Sequence, residues 1–189
     1  MNQFESALGP LDDADVGFVL IGGAAIAAHG SACVTFDLDV CYGRSQRNIE
    51  RLVNALAPYH PRPRGAPADL PFSFDVQSVL QGMNFTLTTD LGDLDLFGEV
   101  QGIGSYGEAA ARATPVELFG RSCLVLSLEG LIASKRAGGR ARDLAVLPEL
   151  EALRELELLR AGRKASSPVR GNIDASQKGS ERAEGKREA

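Results

Sequence analysis

Residues 34–41, Val-Thr-Phe-Asp-Leu-Asp-Val-Cys, alternate strictly between apolar and polar side chains. A period of two marks a strand with one buried face, and it limits what the surrounding chain can become. Val34, Phe36, Leu38 and Val40 form one face; Thr35, Asp37, Asp39 and Cys41 form the other. Two carboxylates two residues apart leave the strand on the same side, where they repel unless a cation or protons neutralise them. A ligand set made only of oxygens suits Mg²⁺ or Mn²⁺, which retain waters and take substrate phosphates as further ligands. Taken alone, an Asp-x-Asp is more simply read as a solvated strand face.

The flanking pattern adds to it. Val16 to Ile21 is a short β-rich apolar run, the look of a buried strand. Gly22-Gly23 breaks it, and Ala24 to His29 reads as a small-residue helix stopped at Gly30. A glycine pair between strand and helix serves as a tight turn. It also lets a phosphate approach the backbone N–H groups. Further on, Asn84–Thr89 and Asp93–Phe97 form an expected hairpin around Asp90-Leu-Gly92. Leu94 and Leu96 face its core, so Asp93 and Asp95 leave the opposite face. Asp disfavours strand interiors, which singles out Asp95 as the functional candidate and leaves Asp93 to the turn.

The remaining chain reads as a helix over Ser45–Leu56, a Pro/Arg-rich loop over Pro61–Pro71, and a hairpin of Pro115–Phe119 with Ser122–Leu126. Ser127 is placed to cap a helix ending near Lys135 or Arg136, and two final helices are expected at Arg140–Leu147 and Glu149–Arg160, the second opened by Pro148. Strands and helices in no regular βαβ rhythm predict an α/β (α+β) fold with a mixed sheet. The expected domain spans 1–160. Residues 161–189 carry seven Lys/Arg against four Asp/Glu and almost no large apolar side chain, which predicts a disordered tail.

Composition narrows the chemistry. Three cysteines in no CxxC spacing and two histidines support neither structural zinc nor a disulfide framework. The net charge of −5 divides into +3 on the tail and −8 on residues 1–160, a body too acidic to advertise general nucleic-acid binding. No apolar run approaches a membrane span, and Met1–Pro10 lacks a signal-peptide layout, so a cytoplasmic protein without membrane contact is expected.

The stretch Phe18-Val-Leu-Ile-Gly-Gly-Ala-Ala-Ile-Ala-Ala-His-Gly30, followed by Val34-Thr-Phe-Asp-Leu-Asp-Val40 and a later Asp95, resembles the nucleotidyltransferase superfamily that includes DNA polymerase β. It is most similar to the small bacterial members of the abortive-infection type. Lys135-Arg-Ala-Gly-Gly-Arg-Ala-Arg-Asp-Leu144 resembles that group's Lys-(x)₄-Arg-x-Lys/Arg-Asp-Leu element, and the likeness covers roughly residues 16–160.

The resemblance implies a palm-like core with C-terminal helices and transfer of a nucleoside monophosphate from a triphosphate to an acceptor hydroxyl. Asp37, Asp39 and Asp95 would be the catalytic metal ligands for Mg²⁺ or Mn²⁺, converging in one cleft beside Gly22-Gly23. Gly22, Gly23, Lys135 and Arg140 would bind the nucleotide. The acceptor is either tRNA or another RNA, as in a toxin-like regulator, or a small molecule; Arg62, Arg64, Arg140, Arg142 and the basic tail keep RNA open. A domain this small has little room for an acceptor domain, which points to an antitoxin-like partner protein or a homodimer. The alternative is a catalytically silent nucleotide- or RNA-binding module of the same fold.

Overall fold

A computed structural model describes residues 3–32, 35–67 and 69–165. Its framework is a seven-stranded sheet in the order β3-β4-β5-β2-β1-β9-β8. The strands are β1 (Phe18–Leu20), β2 (Asp37–Tyr42), β3 (Arg62–Pro63), β4 (Asn84–Thr89), β5 (Gly92–Phe97), β8 (Ala113–Leu118) and β9 (Arg121–Leu126). β6 (Glu99–Val100) and β7 (Gly104–Ser105) form a separate two-stranded ribbon. The sheet is mixed, as the sequence predicts: β2 runs parallel to β5 and β1 parallel to β9, while the β1–β2, β3–β4, β4–β5 and β8–β9 pairs are antiparallel.

The expected strand over 34–41 forms over its second half. β2 begins at Asp37 because its neighbours stop there: Asp37 is the first residue paired with β5, and β1 reaches only as far as Val40. Phe36 therefore has no sheet to pack on and is 76% exposed, against the expectation that it shares the core with Leu38 and Val40. Cys33 and Val34 lie outside the described residues. Leu38, Val40, Leu87, Leu94 and Leu96 are fully buried on the other face of the sheet, where their burial is worth about 1.5–3 kcal/mol each.

Helix α1 (Gln3–Asp13), which the sequence reading does not anticipate, lies against β2 and β5 and buries Ala7, Leu8 and Leu11. Helix α2 (Gly22–Ala28) starts two residues earlier than expected, at the glycines themselves. Helix α3 (Gln46–Leu56) follows its reading closely, with the Ser45 side chain accepting from the Asn48 N–H and Ile49, Leu52, Val53 and Leu56 buried. Helices α4 (Val76–Gln81) and α5 (Tyr106–Ala110) are short and set by their caps, Asp75 and the Ser105/Glu108 capping box.

Helix α6 (Leu128–Gly138) has Ser127 as its cap and ends on Gly139 in the left-handed region, φ 62°. Helix α7 (Ala141–Ala145) is shorter than expected. Helix α8 (Leu147–Ala165) starts before Pro148, which falls in its first turn where no N–H bond is lost. It also runs past the expected boundary at 160, and residues 166–189 of the expected tail lie outside the described residues. No helix among the described residues is long and apolar enough to cross a membrane.

One buried amide ties the frame together. Asn48 is 8% exposed; its Oδ1 accepts from the Gly17 N–H at 2.6 Å, and its Nδ2 donates to the carbonyls of Gly17 and Gly43 at 3.0 and 2.8 Å. Those glycines flank the start of β1 and the end of β2, the strand that carries Asp37 and Asp39. Asn48→Ala leaves three backbone groups without this partner and should cost at least about 2 kcal/mol in urea unfolding. A loss below 0.5 kcal/mol, the range of an ordinary surface change, would show that the amide is dispensable.

Candidate active site

The site starts from strand register. The parallel β2–β5 pair sets Asp37 opposite Asp93 and Asp39 opposite Asp95, so four carboxylates share one face of two strands. Oxygens of Asp37, Asp39 and Asp95 all lie within 4.8 Å of one another. Asp93 shares this face with Asp95, as the alternation predicts, and sits within β5 rather than in the preceding turn; the Thr88 hydroxyl on β4 donates to it at 2.9 Å.

Asp39 pays most for this crowding. Burial, then the charges of Asp37 and Asp95, push its carboxyl up to about 7. The Gly23 N–H at 3.4 Å and the charge of Lys135 offset part of that. Burial also pushes the Asp95 carboxyl up, against the opposing charge of Arg64. Asp37 accepts a hydrogen bond from the Thr35 hydroxyl at 2.8 Å.

The glycines pack directly against this cluster. Gly22 has φ 58°, and a Cβ there would overlap the Asp39 carboxylate. A Cβ at Gly23 would come within 2.6 Å of the Thr35 side chain. The glycine pair thus makes room for the acids, and one of its N–H groups points at Asp39.

These residues line a cleft of about 770 Å³ together with Lys135, Arg140 and Arg142. Lys135 and Arg140 meet on Asp143, with Lys135 Nζ 3.0 Å from Oδ1 and Arg140 Nε 2.6 Å from Oδ2. Asp143 is only 1% exposed. Burial pushes its carboxyl up, but the hydrogen bonds from Arg140 and Lys135 outweigh that and hold it below the ordinary value. Arg136, beside Lys135 in sequence, turns away to pair with Glu151.

Arg64 is the residue that sequence reasoning left in a loop. Its main-chain N–H bonds the Thr86 carbonyl, extending the β3–β4 ladder, and its guanidinium enters the carboxylate cluster. The signal was an arginine next to an edge-strand Pro63, and nothing local to it indicates which way the side chain turns. His29 caps α2, and its Nε2 lies 2.9 Å from the Leu126 carbonyl, which can only accept, so that nitrogen carries the proton. Burial raises the thiols of Cys41, to about 11, and Cys123, which keeps both protonated and unreactive near neutral pH.

No family model matches the sequence, and no curated protein does. Among solved structures, the chain is similar to a candidate nucleotidyltransferase from Thermotoga maritima, at 15% identity and a TM-score of 0.46, over 86% of this chain and 94% of that one. It is also similar to the antibiotic-resistance factor ANT(2″)-Ia, at 16% identity and a TM-score of 0.47, over 86% of this chain and 93% of that one.

The Asp39 shift fixes a pH dependence. A carboxyl raised from 3.8 to about 7 binds its proton more tightly in the folded state, so its ionisation subtracts stability as pH climbs through that window. With chelator present, Asp39→Asn should match the wild type near pH 4 and exceed it near pH 8, by on the order of 2–4 kcal/mol. Millimolar Mg²⁺ should shrink that gap. Thermal melts at both pH values, with and without Mg²⁺, check it, and equal melting at pH 8 in chelator would contradict it.

Proposed function

We propose that the chain is a nucleotidyltransferase that moves a nucleoside monophosphate from a nucleoside triphosphate to an acceptor hydroxyl, with Mg²⁺ or Mn²⁺ held by Asp37, Asp39 and Asp95. The observation that carries this reading is the convergence of those three carboxylates from two parallel strands in register. Their chemistry fits the metal: an all-oxygen donor set, mutually repelling, with one member driven up to about 7 by burial and by the charges of the other two. A cleft of about 770 Å³ falls within the range of roughly 300–1,000 Å³ typical of small-molecule sites.

In the proposed reaction the acceptor oxygen attacks the α-phosphorus, a new P–O bond forms, the bond to the β-phosphate bridging oxygen breaks, and pyrophosphate leaves. Divalent metal supplies stabilisation of the charge on the attacking and leaving oxygens. Asp95, the member of the cluster contributed by β5, takes the acceptor proton. Lys135 and Arg140 bring two positive charges to one buried Asp143, leaving a surplus of one beside the cleft to meet the triphosphate. Gly22 and Gly23 keep the floor free of side chains, so that backbone and carboxylate both face the nucleotide. The acceptor hydroxyl belongs either to RNA, in a toxin-like role, or to a small molecule.

Incubation with α-labelled nucleoside triphosphates and Mg²⁺, over pooled tRNA in one arm and small hydroxyl compounds in the other, tests the reading and separates the acceptors. Wild type should label one arm, and Asp39→Asn should lower the rate at least about 10³-fold while keeping the fold, as expected for loss of several kcal/mol of charge stabilisation. Undiminished transfer by Asp39→Asn removes the metal assignment. Triphosphate binding without transfer to either arm favours a nucleotide-binding module.

A further inference from the structure

The carboxylate face already holds a cation of its own. Arg64 Nη2 lies 2.7 Å from Asp95 Oδ1, its Nε 3.2 Å from Asp93 Oδ2 and its Nη1 3.8 Å from Asp37 Oδ2. One guanidinium therefore spans three acids on two strands. The fit is uneven. Nη2 also donates to the Leu87 carbonyl, whereas Nε is buried with no hydrogen-bond acceptor among the described residues, since Asp93 Oδ2 is near it but off the N–H line. A buried donor left unmet is a cost, so charge attraction rather than complete hydrogen bonding holds this pose.

We propose that Arg64 is a built-in rival of the divalent cation: its guanidinium neutralises the aspartate cluster in the metal-free protein, and metal binding displaces it from Asp95. Arg64 then stabilises the empty site while weakening its affinity for metal. The inference rests on the metal reading above. Two of the three proposed ligands, Asp37 and Asp95, are acids that Arg64 touches, and the negative charge it cancels is the quantity that sets the affinity of a carboxylate site. A divalent ion on the same oxygens would also repel it.

Release needs little more than side-chain rotation. The Arg64 backbone is fixed by its N–H bond to the Thr86 carbonyl at 2.9 Å. The Arg64 side chain is 27% exposed, so it already borders solvent on one side. The opposite role would be a clamp that gathers the acids and strengthens metal binding; the two roles predict opposite signs.

Calorimetric titration of the full chain with Mn²⁺ separates them. Arg64→Met should bind Mn²⁺ at least tenfold more tightly than wild type, and its metal-free form should melt lower. Arg62→Met, at an exposed position two residues away, should stay within twofold of wild type in affinity. Equal or weaker binding by Arg64→Met overturns the proposal.

Should that variant not fold without metal, side-chain NMR of the wild type gives a second reading: the Arg64 Nε–H signal should shift on saturation with Mg²⁺, and an unmoved signal overturns the proposal equally. Mn²⁺ binding that Asp39→Asn abolishes but Arg64→Met does not tighten sinks this inference alone. No binding by any form sinks the metal reading with it.

Discussion

In-register parallel pairing of β2 with β5 is the constraint from which the rest of the site follows, because it sets two aspartates of one strand against two of the other. Such an arrangement is unfavourable by itself, and it survives because the opposite faces of the same strands are locked by Leu38, Val40, Leu94 and Leu96, all essentially inaccessible to solvent. A one-residue slip of either strand would relieve the charge crowding but turn those leucines and valine into water, a loss far greater than the relief. The apolar face thus dictates what the polar face must tolerate. Around it, the surroundings are arranged for the acids: glycine at 22 where a side chain would strike Asp39, Thr35 donating to Asp37, and a guanidinium reaching across three carboxylates.

A second charge cluster, on α6 and α7, has the opposite balance. Asp143 is buried with two cations, and a buried carboxylate is tolerable only when so completely bonded. Its role toward the cleft is orientation. By holding Lys135 through one oxygen and Arg140 through the other, it removes rotamer freedom from two long side chains that would otherwise sweep through solvent. The acidic sheet face and the basic helix pair line the same cleft from distant parts of the chain, joined by neither sequence proximity nor a shared element.

Much of this was legible in the sequence, and the failures have physical causes. Alternation over 34–41 and 93–97 revealed the two acid-bearing strands and their buried faces, since a period of two survives wherever one face is packed. It could not show where a ladder runs out, so Phe36 was assigned to the core although its strand has no partner there. Asp93 lies on the face that alternation gives it, but its pairing with Asp37 is decided by the strand next door, which strand propensity judged residue by residue does not show. Helix α1 has no such signal in the sequence, since Gly9-Pro10 lies inside it and Pro10 gives up a helical N–H bond there. Nothing near Arg64 in the sequence places it among the acids, because its direction is set by three carboxylates that are distant along the chain.

The sheet order has a consequence for how the chain is made. β1 sits between β2 and β9, and its register with β9 joins Leu20 to Val125, more than a hundred residues later. At about 5–20 residues per second of synthesis, one edge of this fully apolar strand waits on the order of 5–20 s for its neighbour. During that interval the antiparallel pair of β1 and β2 has an open hydrogen-bonding margin, the kind of surface that pairs with strangers. Contacts this remote also slow folding, because the loop must close before the pairing rewards it. The demands of expression therefore fall on the middle of the sheet, and a nascent chain stalled before Arg121 presents a sticky central strand rather than a smaller version of the finished domain.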